Sequence, residues 1–153
     1  MSLDLRFSSE LNIPPTQAWQ WITDVQLLRE EMAPWLWMSV PKGLNSLADV
    51  QVEPGQALFT SWLWLFGFLP LGTSRLTLLT LEPGRGFVEQ SPMSGMRLWR
   101  HERRLEVLTG GTRITDTLHV EPLLPAFIVR PFLTLFFRSR HRALRSRAAR
   151  LGR

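Results

Sequence analysis

From Leu3 to Ile13 the apolar residues Leu3, Leu5, Phe7, Leu11 and Ile13 hold odd positions, and Asp4, Arg6, Ser8, Glu10 and Asn12 fall between them. This period of two predicts a half-buried strand. Pro14 and Pro15 end it. Because proline is tolerated in the first turn of a helix, Ala18, Trp19, Ile22 and Val25 at spacings of three and four predict a helix directly afterwards. A second short helix through Leu27, Leu28 and Met32 is predicted to stop at Pro34.

Beyond Pro34 the pattern changes to short β-rich runs: Trp35 to Val40, Gln56 to Phe66, Ser74 to Leu81, Phe87 to Ser91, Met96 to Val107 and Thr112 to Glu121. Between them lie Pro41 to Gly43, Glu53 to Gly55, Leu69 to Gly72, Pro83 to Gly86, Pro92 to Gly95 and Gly110 to Gly111, which supply the fixed or positive φ of turns. Hairpins joined in sequence predict antiparallel neighbours. After Pro125, Ile128, Phe132, Leu135, Phe136 and Leu144 suit an amphipathic helix, kinked or started at Pro131, with arginines on its outer side and far end. The predicted order is one strand, two helices, six strands and one long helix.

Composition narrows the class. A chain of 153 residues suits a single domain spanning 1–153. With no cysteine and three scattered histidines, neither thiolate chemistry nor a metal site is expected, and no cofactor. The N-terminus alternates and carries charge too early for the apolar core of a signal peptide, and a cytoplasmic location is expected. The apolar stretches Ala57 to Gly72 and Leu123 to Phe137 are short of the ~20 residues that span a bilayer, and both are interrupted.

The net charge of +5 belongs to the tail: 138–153 carries seven arginines and no acid, so the preceding residues come to −2. Such a basic helical tail complements the helix dipole at its C-terminal end, or makes weak contact with an anionic membrane. No aromatic platform is interleaved with these arginines, so nucleic acid is not an expected partner.

Four segments carry a family resemblance: IPPTQAW at Ile13 to Trp19, GMRLWRHERRLE at Gly95 to Glu106, GGTRITDTLHVEPLLP at Gly110 to Pro125, and FFRSRHRAL at Phe136 to Leu144. With the element order, they resemble the START/Bet v 1-like superfamily, called SRPBCC, and within it an uncharacterised bacterial polyketide cyclase/dehydrase-like branch. The resemblance implies an α+β helix-grip fold, in which a curved seven-stranded antiparallel sheet and two short helices enclose a long C-terminal helix. It also implies an internal cavity for a lipid, polyketide or aromatic compound, with catalysis in only some members. The weakly patterned segment Lys42 to Pro54 reads as a loop over the mouth of such a cavity.

Strand parity then selects candidate site residues. Trp99, His101, Arg103 and Leu105 share one face, and Ile114, Asp116, Leu118 and Val120 share one face of the next strand. A tight Gly110-Gly111 turn that pairs Thr109 with Thr112 sets Leu105 opposite Asp116 and Arg103 one diagonal step away. A buried charge needs a partner, so Arg103 and Asp116 suit an internal ion pair or a polar link to the last helix. The same cluster suits a clamp for the polar end of a ligand, or acid and base work by His101 and Asp116, with Glu89 a third candidate if it faces inward. Among seven tryptophans in a chain without tyrosine, Trp62, Trp64 and Trp99 are expected to line the cavity, with Phe87, Phe132 and Phe136.

The run Gln56 to Phe66 is apolar on both parities, which leaves an outer face suited to a homodimer or to a membrane-touching hairpin at Leu65 to Leu71. Three functions follow: a carrier or sensor of a small hydrophobic molecule, a cyclase- or dehydratase-like enzyme, or an interaction module whose cavity is filled.

Overall fold

The computed structural model describes residues 2–49 and 56–151. In chain order they form β1 (Leu3–Leu11), α1 (Pro15–Thr23), α2 (Val25–Met32), β2 (Leu36–Met38), a 3-10 turn (Leu47–Asp49), β3 (Ala57–Leu65), β4 (Leu69–Glu82), β5 (Gly86–Gln90), β6 (Met96–Leu108), β7 (Gly111–Pro122) and α3 (Ala126–Leu151). The strands make one antiparallel sheet in the order β1-β7-β6-β5-β4-β3-β2. The expected helix-grip architecture is the observed one. Of the expected mouth loop, Val50 to Pro54 lies outside the described residues, as do Gly152 and Arg153 of the tail.

The two short helices meet at Asp24, whose backbone N–H closes α1 on the carbonyl of Gln20 and whose Oδ1 accepts from the N–H of Leu27 to cap α2. One acid therefore ends one helix and starts the next. Their buried faces carry Ala18, Trp21 and Ile22 from α1, and Val25, Glu31 and Met32 from α2.

Three expectations are corrected by the backbone. The β3–β4 reversal falls at Phe66 to Phe68, not at Leu69 to Gly72: Phe66 and Gly67 take φ of 55° and 83°, and Leu65 pairs with Leu69. Pro70 is tolerated inside β4 because β5 pairs only with Leu78 to Glu82, so no ladder bond is asked of its nitrogen on that side. The β6–β7 turn is Thr109-Gly110, with Gly110 at φ 81° and Leu108 paired with Gly111. This shift of register sets Arg103 directly opposite Asp116 and Leu105 opposite Ile114.

The third correction is the phase of the long helix. It starts at Ala126, with Pro131 on an exposed face of its second turn. Its buried stripe is Val129, Leu133, Phe136, Phe137, Arg140, His141, Leu144 and Ala148, while Ile128 and Leu135 are each 49 % exposed. Arg140 was expected on the outer side with the other arginines. It lies on the inner stripe because Leu133, Phe137, Arg140, Leu144 and Ala148 follow one another at spacings of three and four.

The apolar interior is split into two layers. One, under α1 and the end of α3, holds Ile22, Leu78, Ile114 and Leu144; the other, under the start of α3, holds Leu3, Trp99, Leu118 and Phe137. Along β7 the order Ile114, Asp116, Leu118, and along α3 the order Phe137, Arg140, His141, Leu144, place a polar layer between them.

Gly86 controls how closely β5 approaches that layer. Its φ is 146°, and a Cβ there would lie 2.0 Å from the backbone oxygen of Arg103. We expect Gly86→Ala to lower unfolding free energy by roughly 1–3 kcal/mol, from combined clash and backbone strain, as read by urea denaturation. Gly84→Ala, whose added Cβ meets nothing within 4 Å, should cost less.

Candidate functional site

The polar layer is organised around Arg103, which is 0 % exposed. Its Nε and Nη2 donate to Asp116 Oδ1 and Oδ2 at 2.7 and 2.8 Å, and its Nη1 and Nη2 donate to Glu31 Oε1 and Oε2 at 2.9 and 2.7 Å. Two edges of one guanidinium thus hold two carboxylates, the geometry that only arginine offers. β6, β7 and α2 are tied together at this residue.

Asp116 accepts two further bonds, from His101 Nε2 at 2.6 Å and from His141 Nε2 at 2.7 Å. Its four acceptor positions are taken. His141 Nδ1 lies 2.6 Å from Ser9 Oγ, and that hydroxyl also accepts from Arg145 Nη1 at 3.0 Å. With its oxygen already accepting, Ser9 has its own proton to give, which suits a His141 tautomer carrying hydrogen on Nε2 toward Asp116. β1 and α3 are joined to the layer by this chain.

Glu31 Oε2 also accepts from Arg140 Nε at 2.5 Å. Burial alone would raise the Glu31 carboxyl, but the guanidinium charges of Arg103 and Arg140 outweigh it and hold the group below the usual carboxylate range. The same contest holds for Asp116: burial opposes ionisation, and Arg103 with His101 keeps its carboxyl well below its usual value. For His101 burial favours the neutral ring, yet the adjacent Asp116 carboxylate prevails and raises it.

Beside this layer, between the sheet and the first half of α3, is a cavity of about 510 Å³. Its wall is almost entirely apolar, with Leu63, Leu76, Phe87, Trp99, Phe132 and Phe136 contributing from β3, β4, β5, β6 and α3. Lining residues Leu71, Leu124 and Ile128 are themselves exposed and mark its mouth. Glu89, His101 and Arg140 lie at the buried end. Glu89 Oε2 accepts from Ser91 Oγ at 2.7 Å, and its Oε1 is 3.7 Å from His101 Nδ1, too long for a hydrogen bond and an ion pair only when the ring is protonated.

The residues singled out from sequence therefore divide. Phe87, Glu89, Trp99, His101, Phe132 and Phe136 lie on the cavity wall. Arg103 and Asp116 stand behind His101, outside the lining, with their hydrogen bonds directed at protein partners. Trp62 and Trp64 face away from the cavity, 59 % and 38 % exposed, because Phe59, Leu63 and Leu65 take the inward parity of β3. With Trp37, the register partner of Trp64, they form an apolar patch on the outer face.

Glu31, Arg140 and His141 were not among the candidate site residues, although the last two lie in the FFRSRHRAL segment that carries the resemblance. Their signal was present: a polar residue at the helical spacing of an otherwise apolar stripe, as in Val25, Leu28, Glu31 and in Phe137, Arg140, Leu144. Ser9 likewise breaks an apolar parity in β1.

This is a helix-grip fold, a seven-stranded antiparallel sheet closed over a long C-terminal helix. Over residues 9–148 the chain matches a family model described as a domain of unknown function, DUF8410, and it belongs to that family. No curated protein matches it. Among solved structures, the ZhuI aromatase/cyclase from Streptomyces sp. R1128 is similar at 14% identity and a TM-score of 0.71, covering 100% of this chain and 97% of that one. Ara h 8.0201 aligns at 11% identity and a TM-score of 0.63, covering 97% and 99% of the two chains. A Chromobacterium violaceum protein aligns at 16% identity and a TM-score of 0.64, covering 93% and 96%. At these identities the likeness is one of fold. No helix among the described residues is long and apolar enough to cross a membrane.

The polar layer sets a pH dependence of stability. Glu31 and Asp116 are depressed, so their contribution is whole above the ordinary carboxylate pKa of about 4 and is lost as pH falls below it toward their folded values. His101 is raised, so its contribution is whole below about pH 6.5 and fades as pH climbs through its folded value. We expect a thermal-unfolding maximum between these limits. Asp116→Asn, which uncouples a buried pair, should cost about 3–5 kcal/mol there and flatten the acid-side fall. Melts of both proteins across a pH series read both effects.

Proposed function

We propose that the protein binds a small hydrophobic molecule, such as a lipid, polyketide or aromatic compound, inside the cavity, as a carrier or sensor. One observation carries the reading. A volume of about 510 Å³ is enclosed by apolar side chains and closed at one end by Glu89, His101 and Arg140. That size and lining, many apolar walls and few convergent polar groups, are those of small-molecule sites. Entry is at the mouth, flanked by the β3–β4 turn and the β7–α3 connection, where Phe68 and Phe127 are 73 % and 78 % exposed.

The outer patch of Trp37, Trp62 and Trp64 lies on the other side of the sheet, so a second copy seated there would leave the mouth open. Of the tail arginines, Arg138, Arg142 and Arg150 are exposed for an anionic surface, whereas Arg140 is turned inward.

A second reading, a cyclase- or dehydratase-like enzyme, has its own observation. His101 sits between Asp116 and the cavity-facing Glu89, so a proton could pass between the imidazole and a bound molecule. Asp116 would position the ring and stay ionised, since its oxygens are fully engaged.

Native mass spectrometry of purified protein, with organic extraction, is expected to release a bound apolar molecule. Nile red, a neutral probe, should bind with a blue-shifted emission. Leu76→Trp, which fills the cavity, should weaken that binding at least tenfold, while Trp62→Ala on the outer face leaves it unchanged. Equal binding by wild type and Leu76→Trp would remove the cavity from the explanation.

A further inference from the structure

Arg140 is the one arginine or lysine on the cavity wall among the described residues, and it is only partly used. Its Nε donates to Glu31, but among the described residues its Nη1 and Nη2 make no hydrogen bond, although the residue is only 6 % exposed. Arg103, one layer deeper, spends the corresponding groups on two carboxylates. The terminal N–H groups of Arg140 are not sealed off by protein: the residue lines an otherwise apolar cavity, from which a ligand oxygen can reach donors that the described residues leave unused.

The guanidinium is also held in place before anything binds. Glu31 fixes it from behind, and its Cζ lies 4.9 Å from the Phe137 ring centroid and 5.7 Å from that of Phe136. Such a fork is matched to a planar two-oxygen acceptor. The neighbouring Glu89 does not fill the role, since its oxygens are directed at Ser91 and His101. The His101 ring stands beside Glu89, with Nδ1 3.7 Å from Oε1, where an imidazolium would offset the carboxylate. What is left unmatched at this end is donor capacity.

From these observations we infer that the cavity takes a single-chain amphiphile whose carboxylate, or an equivalent delocalised oxyanion, meets the terminal N–H groups of Arg140 while its tail runs toward the mouth. The inference rests on the hydrophobic-ligand reading and adds the head group and the direction of insertion. Between Ile128 at the mouth and Arg140 at the closed end, α3 rises about 18 Å at 1.5 Å per residue, a length that suits an extended acyl chain. The head enters first.

The test compares tetradecanoate, methyl tetradecanoate and tetradecanol by competition with Nile red. In wild type the acid should compete at least tenfold better than the ester or alcohol, and Arg140→Gln should bring the three close together. Since Arg140→Gln also strands Glu31, a second measurement stands apart from any variant: carbon-13 NMR of carboxyl-labelled tetradecanoate on the wild-type protein. The bound carboxyl should stay ionised to lower pH than the same acid in neutral detergent. If the three ligands compete equally in wild type, or the bound carboxyl protonates as it does in detergent, the head-group assignment is overturned and the apolar site stands. If none of the three competes and Nile red itself fails to bind, the hydrophobic-ligand reading falls with it.

Discussion

The rest of the structure depends on one buried arginine clasping two carboxylates. Arg103 joins β6 to Asp116 on β7 and to Glu31 on α2, and through those acids it reaches His101, His141 and Arg140. An ion pair of this kind is weak evidence for net stability, because desolvation offsets much of the attraction. Its effect is on geometry. The partners it reaches come from β6, β7, α2 and α3, so the layer ties the rotation of α3 and the depth of α2 to the sheet.

That rotation explains why a cavity exists. The buried stripe of α3 runs from Val129 to Ala148, and its second half packs closely against β1, β7 and the short helices through Leu144 and Ala148. The first half crosses the wider end of the curved sheet, where Phe132, Leu133 and Phe136 face β3 and β4 across a gap that they do not fill. Moving the helix inward to close the gap would pull His141 and Arg140 off Asp116 and Glu31, leaving buried charges unpaired. The polar layer therefore holds the space open from one side while the sheet's curvature holds it open from the other.

Much of this was legible in the chain. Alternation in Leu3 to Leu11, the proline-led start of α1 and the turn residues between strands located nearly every element, because each reflects a local preference that the fold obeys. The inward parity of Trp99, His101, Arg103 and Asp116 was legible for the same reason. What was not legible depended on distance in sequence or on a choice between two equally apolar faces. β3 offered Trp62 and Trp64 on one parity and Phe59 and Leu63 on the other, and residue type favoured the tryptophans. The fold chose the second set: Phe59 and Leu63 line the cavity on the concave side, and the two indoles lie on the convex one. The β6–β7 register was missed by a single step in the turn, since Gly110 takes the positive φ and Gly111 the strand position where a Cβ would lie 2.3 Å from the oxygen of Leu11.

Arg140 is the instructive omission, because compositional reasoning about an arginine-rich tail hides it. Seven arginines from 138 onward read as a solvated basic segment, and their shared identity suggests a shared role. Helical phase separates them. Arg138 and Arg142 fall on the exposed face, Arg145 and Arg147 reach back to Ser9 and Glu30, and Arg140 points inward to Glu31 and the cavity. A buried guanidinium survives only where a carboxylate meets it, and Glu31, itself an acid in the apolar stripe of α2, supplies one. The two irregularities explain each other: either alone would be a fault in an amphipathic helix, and together they mark where two helices share a charge at the closed end of the cavity.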